Sequence, residues 1–453
     1  MTIERAGADD LAMGALSTHG RVPQQFGVVL LLEPGGDAAA VRRIAADRLG
    51  SVPRLGQRLV AVPPLAGRPV WVDDPAFAPG THVDRRTCPA PGDERALLDL
   101  AADLACARLD PARPLWSATV VEGLAGGGLA VVVLLDHVVA DGIGGLAVLA
   151  RLADPGPPGN VRPLPRPRPS YRALVADATR AKVTALRRVP GIVQALRSSL
   201  RSGGGAHPPR AAACSLLSAT GDGRRFGLAT AELATLHAAA ADVGATVNDA
   251  LLVAVSMALS DLLAARGESV PEFRVGIVVA GRRSADVAHL GNLTSPLLLT
   301  VPAAGPPGER LRRIAGVVRR ERDDATATAA VAVVGPLIRL AATTGLYGRW
   351  LRSQQRLHTL VSNVPGPPAP LTLGGLGVSR LVPIGVGDSG NVTVSFVCLS
   401  YAGTLAVTAV ADPDRVPDLP RLTAALQSAL DGLGASGPAG PDPRPRPVDA
   451  QRS

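Results

Sequence analysis

Apolar runs alternate with mixed stretches along this chain in two rhythms, one that suits strands and one that suits amphipathic helices. Phe26 to Glu33 is almost wholly apolar, too short for a helix, and reads as a buried strand. Asp37 to Leu49 follows with an acidic N-cap and helical spacing. Pro69 to Asp73 is expected as a short strand and Glu94 to Arg108 as a second helix. Trp116 to Glu122 and Leu129 to Leu135 are rich in β-branched residues and joined by Gly-Leu-Ala-Gly-Gly-Gly, the pattern of a hairpin. A similar rhythm restarts in the second half, with a strand from Arg224, a helix capped by Thr230, and a long apolar helix that follows Thr246-Val-Asn-Asp249 and runs to about Ala265. Strands are expected at Arg274–Ala280 and Ser295–Val301, and a hairpin pairs Val392–Leu399 with Thr404–Val410.

These patterns predict an α/β protein with mixed sheets in two halves. The N-terminal half spans 1–153, a Pro-rich linker and basic crossover helix occupy 154–214, the C-terminal half spans 215–434, and 435–453 reads as a disordered tail. Within the linker region, Asp154 to Ser170 is dense in proline, Tyr171 to Ser202 is basic with helical spacing, and Ser202-Gly-Gly-Gly-Ala206 is a second break.

Composition narrows the function classes. Hydrophobic residues make up 47% of the 453 positions but aromatics only 2%, so the core must be aliphatic. The formal charge is +9 and Lys182 is the only lysine, so the basic surface is arginine. Planar guanidinium groups suit phosphates, on coenzyme A or on lipid headgroups. Nucleic acid is a poor partner for a charge so spread out, with so few aromatic stacking platforms; a GC-rich genome is the alternative source of the Ala/Arg/Gly/Pro bias, with no bearing on phosphates. Cys88, Cys106, Cys214 and Cys398 form no C-x-x-C pair, which argues for a reducing compartment without zinc sites or disulfides. Met1 to Asp10 lacks the apolar region of a secretory signal, and a cytoplasmic location is expected. The nearest approach to a spanning segment, Ala325 to Ile338, is interrupted by Gly335-Pro336 and reads as a partly buried helix.

The most informative stretch is Leu129 to Gly142. A strand delivers Asp136-His137 to its C-terminal end, and Asp141-Gly142 then turns the chain into a helix from Ile143 to Leu152. An imidazole at such a strand mouth can accept a hydroxyl proton near neutral pH. Neither a nucleophile nor a metal partner stands beside it in sequence. Asp141 either orients the imidazole directly or braces the turn through an arginine, with Arg54 and Arg58 as candidates. Asn248, ahead of Asp249, is a candidate supporting polar group or a helix N-cap. Trp116 is expected as core packing, and Arg282-Arg283 as either a coenzyme A contact or a solvated turn.

These residues together resemble the bacterial wax ester synthase/diacylglycerol acyltransferases. The family's His-His-x-x-x-Asp-Gly motif is matched by Asp136-His137-Val-Val-Ala-Asp141-Gly142, with Asp136 replacing the first histidine. Pro114-Leu115-Trp116, Asn248-Asp249, Asn363-Val-Pro-Gly-Pro367 and Ser400-Tyr-Ala-Gly403 follow in the family's order, from residue 10 to about 430. Gly56 stands where the family often has an arginine. The resemblance implies two chloramphenicol-acetyltransferase-like domains with the active site in a channel between them. It implies acyl-CoA as co-substrate with no cofactor or metal, and diacylglycerol or a long-chain alcohol as acceptor. His137 would be the general base, with Asp141 and Gly142 completing the catalytic motif and Asp136, Asn248 and Asp249 supporting it. Basic and apolar surface would give peripheral contact with an anionic membrane or lipid droplet, on the inner face of the cell membrane. A condensation-type acyltransferase and a non-catalytic acyl-CoA- or lipid-binding paralogue are the alternatives.

Overall fold

A computed structural model describes residues 3–155, 165–184, 210–280, 294–323, 346–387 and 390–435. The expected tail, the Ser202–Ala206 break, Arg282-Arg283 and the 325–338 segment lie outside these residues.

Two six-stranded sheets carry the fold. In the first, the central strands are β1 (Gln25–Leu32), β5 (Trp116–Glu122) and β6 (Leu129–Asp136), and β4 (Val83–Thr87) runs parallel to β5 at one edge. The other edge comes from far along the chain: β11 (Thr372–Leu373) and β12 (Leu376–Val386), with β12 antiparallel to β1. The boundary at 215 therefore does not separate the two sheets, because sheet membership is set by edge pairing and not by chain order. A small sheet pairs β2 (Gln57–Val60) with β3 (Val70–Asp73).

The second sheet has the order β7 (Arg225–Glu232), β14 (Thr404–Ala411), β13 (Val394–Tyr401), β10 (Thr359–Val364), β8 (Glu272–Ala280) and β9 (Thr294–Pro302). β10 runs parallel to both β13 and β8, and the other pairs are antiparallel. Thr230 belongs to β7, opposite Ala406, and caps no helix. Pairing with β14 continues to Glu232, so the next helix, Leu233–Ala241, starts beyond it.

The helices follow local chemistry. α1 (Ala8–His19) precedes β1. α2 (Ala38–Gly50) opens where the Asp37 side chain accepts from the amides of Ala39 and Ala40, and α3 (Glu94–Cys106) opens at Asp93. α4 (Gly142–Leu152) follows β6, and residues 171–184 form the described part of the crossover helix. The long helix Val247–Ala265 carries a capping box made by Thr246 and Asp249. By length and composition it could cross a bilayer, but 67% of its apolar window is buried, and ten of its side chains belong to the hydrophobic core packed against the second sheet. Trp116 is 1% exposed and donates its indole N–H to the Leu55 carbonyl at 2.8 Å, the packing role expected of it.

Candidate active site

Strand pairing brings the motif together. Gln25 faces Asp136 in the β1–β6 register, so Gln24 comes opposite His137, and the His137 amide donates to the Gln24 carbonyl at 2.8 Å. Side chains alternate along a strand, and the two neighbours therefore separate. His137 turns to one face, with its ring 4.5 Å from that of Phe26 at 33°. Asp136 is 5% exposed; its Oδ2 accepts from Ser17 Oγ at 2.7 Å and its Oδ1 from the Val138 amide at 2.9 Å. Burial holds this carboxyl above the usual range, and the two hydrogen bonds pull it back in part. Asp136 thus secures α1 and the turn that follows β6.

Asp141, 2% exposed, is the N-cap of α4, and its Oδ1 accepts from the Gly144 amide at 2.8 Å. It braces the turn directly. The described bonds of the two candidate arginines run elsewhere: Arg54 to Gln57 and Glu4, over the Trp71 ring, and Arg58 to Asp74 and the Ala112 carbonyl. Gly142 is a close-approach position, since a β-carbon there would lie 2.9 Å from Val364 Cγ2.

His137, Asp141 and Gly142 all line one chamber of about 320 Å³. Its walls are mostly apolar and come from both sheets, with Phe26 and Leu135 from the first and Leu360, Val364 and Val397 from the second. Cys398 also lines it, and burial pushes its thiol far up from the ordinary range, which favours the protonated form. Polar groups at the wall that the motif does not announce include Gln24, Ser362 and Ser395. Gln24 is found only through the β1–β6 register, which no local pattern encodes.

Asn248 is one step behind the wall. Asn363 Nδ2 donates to its Oδ1 at 3.4 Å, and Asn363 lies between Ser362 and Val364, which do line the chamber. Asp249 is 2% exposed and accepts from the Thr246 amide and hydroxyl, both at 2.8 Å, so its described bonds cap the helix. Thr246, and not Asn248, is the N-cap.

Two α/β halves around a shared chamber, with a histidine at a strand end inside it, define the chloramphenicol-acetyltransferase-like acyltransferase fold. The wax ester synthase/diacylglycerol acyltransferase catalytic domain matches residues 15–251, and the C-terminal domain of the same family matches residues 290–434. A probable diacylglycerol O-acyltransferase of Mycobacterium tuberculosis is 32% identical over 430 residues, covering 90% of this chain and 91% of that one. A second protein of that organism, a putative diacylglycerol O-acyltransferase, is 29% identical over 426 residues, covering 89% and 90%. Among solved structures, a wax ester synthase/diacylglycerol acyltransferase from Marinobacter aquaeolei VT8 superposes with a TM-score of 0.67 at 20% identity, over 96% of this chain and 99% of that one. The first condensation domain of the calcium-dependent antibiotic synthetase shares the fold, with a TM-score of 0.60 at 17% identity over 97% of each. The chain belongs to the wax ester synthase/diacylglycerol acyltransferase family and is an acyltransferase.

Proposed function

We propose that the protein esterifies a lipid hydroxyl, of diacylglycerol or of a long-chain alcohol, with the acyl group of acyl-CoA, and that His137 is the general base. The observation that carries this reading is the placement of His137 in an apolar chamber walled by both halves, which can hold alkyl chains beside one titratable ring. The imidazole takes the hydroxyl proton as the oxygen attacks the thioester carbonyl. The tetrahedral adduct collapses with loss of the thiolate, and the imidazolium returns the proton to that sulfur. The thioester is already activated, so no covalent enzyme intermediate is required and no cofactor is invoked. Asp141 and Gly142 act through the turn: the carboxylate caps α4, and the glycine lets β10 approach.

The formal charge of +9 and the exposed Leu65, Tyr171 and Leu346 support docking on an anionic membrane or droplet, from which the acceptor would enter. The decisive experiment supplies palmitoyl-CoA with dioleoylglycerol, hexadecanol or a small alcohol, and follows free thiol and ester together. His137→Ala should lower turnover at least about a hundredfold, the low end for loss of a positioned base, with an unchanged melting temperature. Parental turnover in that variant would remove His137 from the mechanism.

A further inference from the structure

The chamber is asymmetric along α4. Gly142, Gly145, Leu146, Leu149 and Leu152 all line it, and their spacing puts them on one face of the helix. Exposure is lower at the far end of that face. Gly142, Gly145 and Leu146 are partly open, Leu149 is 5% exposed and Leu152 is 0%. Leu49, at the end of α2, also lines the chamber and is 0% exposed. The space is therefore open beside His137 and closed at Leu49 and Leu152. Ten residues of helix rise about 15 Å, which is the length of a medium to long alkyl chain and far more than a small acyl group needs.

We propose that this side of the chamber is a closed-ended groove for one alkyl chain, with Leu146 setting its width and Leu49 and Leu152 forming its floor, so that these three leucines set the preferred chain length. The inference rests on the acyltransferase reading, because a chain attached at the reacting carbon or at the attacking oxygen enters beside His137. Both the acyl chain and the alcohol chain have this chemistry, and the experiment separates them.

Binding is measured by displacement of the fluorescent fatty acid cis-parinaric acid, with one ladder of acyl-CoAs from butyryl to stearoyl and one of straight-chain alcohols. In the parent protein, affinity rises by about fourfold per methylene while the chain is being buried, then levels off where it meets the floor. Leu146→Trp fills the groove and should move that plateau to shorter chains. Leu152→Ala deepens it and should move the plateau to longer ones. Opposite shifts exclude a general loss of packing, which would weaken both ladders without moving either plateau. A shift in the acyl-CoA ladder assigns the groove to the donor, and a shift in the alcohol ladder assigns it to the acceptor. If neither plateau moves in either variant, the groove is not a gauge. Since binding needs no turnover, moving plateaus in a protein that esterifies nothing would overturn the acyltransferase reading and leave the gauge standing. Normal turnover with fixed plateaus would do the reverse.

Discussion

His137 owes its setting to the residues on either side of it. Asp136 looks away into a pocket of its own, where Ser17 and the Val138 amide hold it, so replacement of the motif's first histidine turns this position into a clasp for the turn. Asp136→Ala should lower the melting temperature and reduce turnover modestly, whereas Asp136→Asn, which keeps an acceptor for the Val138 amide, should retain most of both. Equal losses in the two variants would show that the charge matters and the turn does not. Asp141 is the second clasp. Losing an N-cap costs about 1 kcal/mol, within a range of roughly 0.5–2, so Asp141→Ala should destabilise the protein by at least that much in chemical unfolding. Asp141→Ser, which can still cap α4, should recover the share that comes from the cap. Both roles sit within four residues of the histidine, which is why the motif was legible. That Asp141 caps the helix directly was not, because a carboxylate at this spacing can equally face an imidazole or an arginine.

At the scale of the element, α4 and β1 are packed around a missing side chain. A β-carbon on Gly145 would lie 2.6 Å from Phe26 Cε2, and the Phe26 ring in turn lies 4.5 Å from that of His137. Gly145→Ala gains about 1 kcal/mol of helix propensity, and displacing the ring from its rotamer costs about 0.5–1.5 kcal/mol. The two nearly cancel. The melting temperature should stay within a few degrees while kcat falls, because the displaced ring presses on the imidazole. Adding Phe26→Leu should restore kcat, and a failure of that rescue would place the fault elsewhere. The helix was readable from its own periodicity; its contact with Phe26 depends on the pairing of β1 with β6.

For the whole molecule, the two halves are interlocked. β12 completes the first sheet from the second half of the chain. Phe226 and Val410 share a core cluster with Leu97, Val121 and Leu134, while Leu399 and Tyr401 join the cluster around Leu30 and Trp116. Unfolding should therefore be one cooperative transition by circular dichroism and by tryptophan fluorescence; two separated transitions would contradict this interlocking. His358 adds a pH dependence. It is 0% exposed, accepts from the Arg274 amide at Nδ1 (2.9 Å), and donates from Nε2 to the Ala212 carbonyl at 2.8 Å. Burial lowers its pKa below the ordinary imidazole value of about 6.5, so below that pH the unfolded chain binds more protons than the folded one. Stability should fall as pH drops through about 6.5 and below. His82, lowered by burial in the same direction, adds to this trend. His358→Asn should flatten the low-pH decline in melting temperature even though it lowers the value at pH 8.

The sequence by itself determined most of the elements, the basic and aliphatic character of the chain, and the position of His137 at the end of a strand. It could do so because periodicity, capping and turn chemistry act over a few neighbouring residues. Only the tertiary structure decided that a strand near residue 380 closes the first sheet, that Asp136 and His137 serve opposite faces, and that Asn248 stands behind the wall. It also decided that Leu49 and Leu152, far apart in sequence, line the same chamber. Each of these depends on which distant strands and helices come into contact, and that is settled by burying both apolar sheet faces at once.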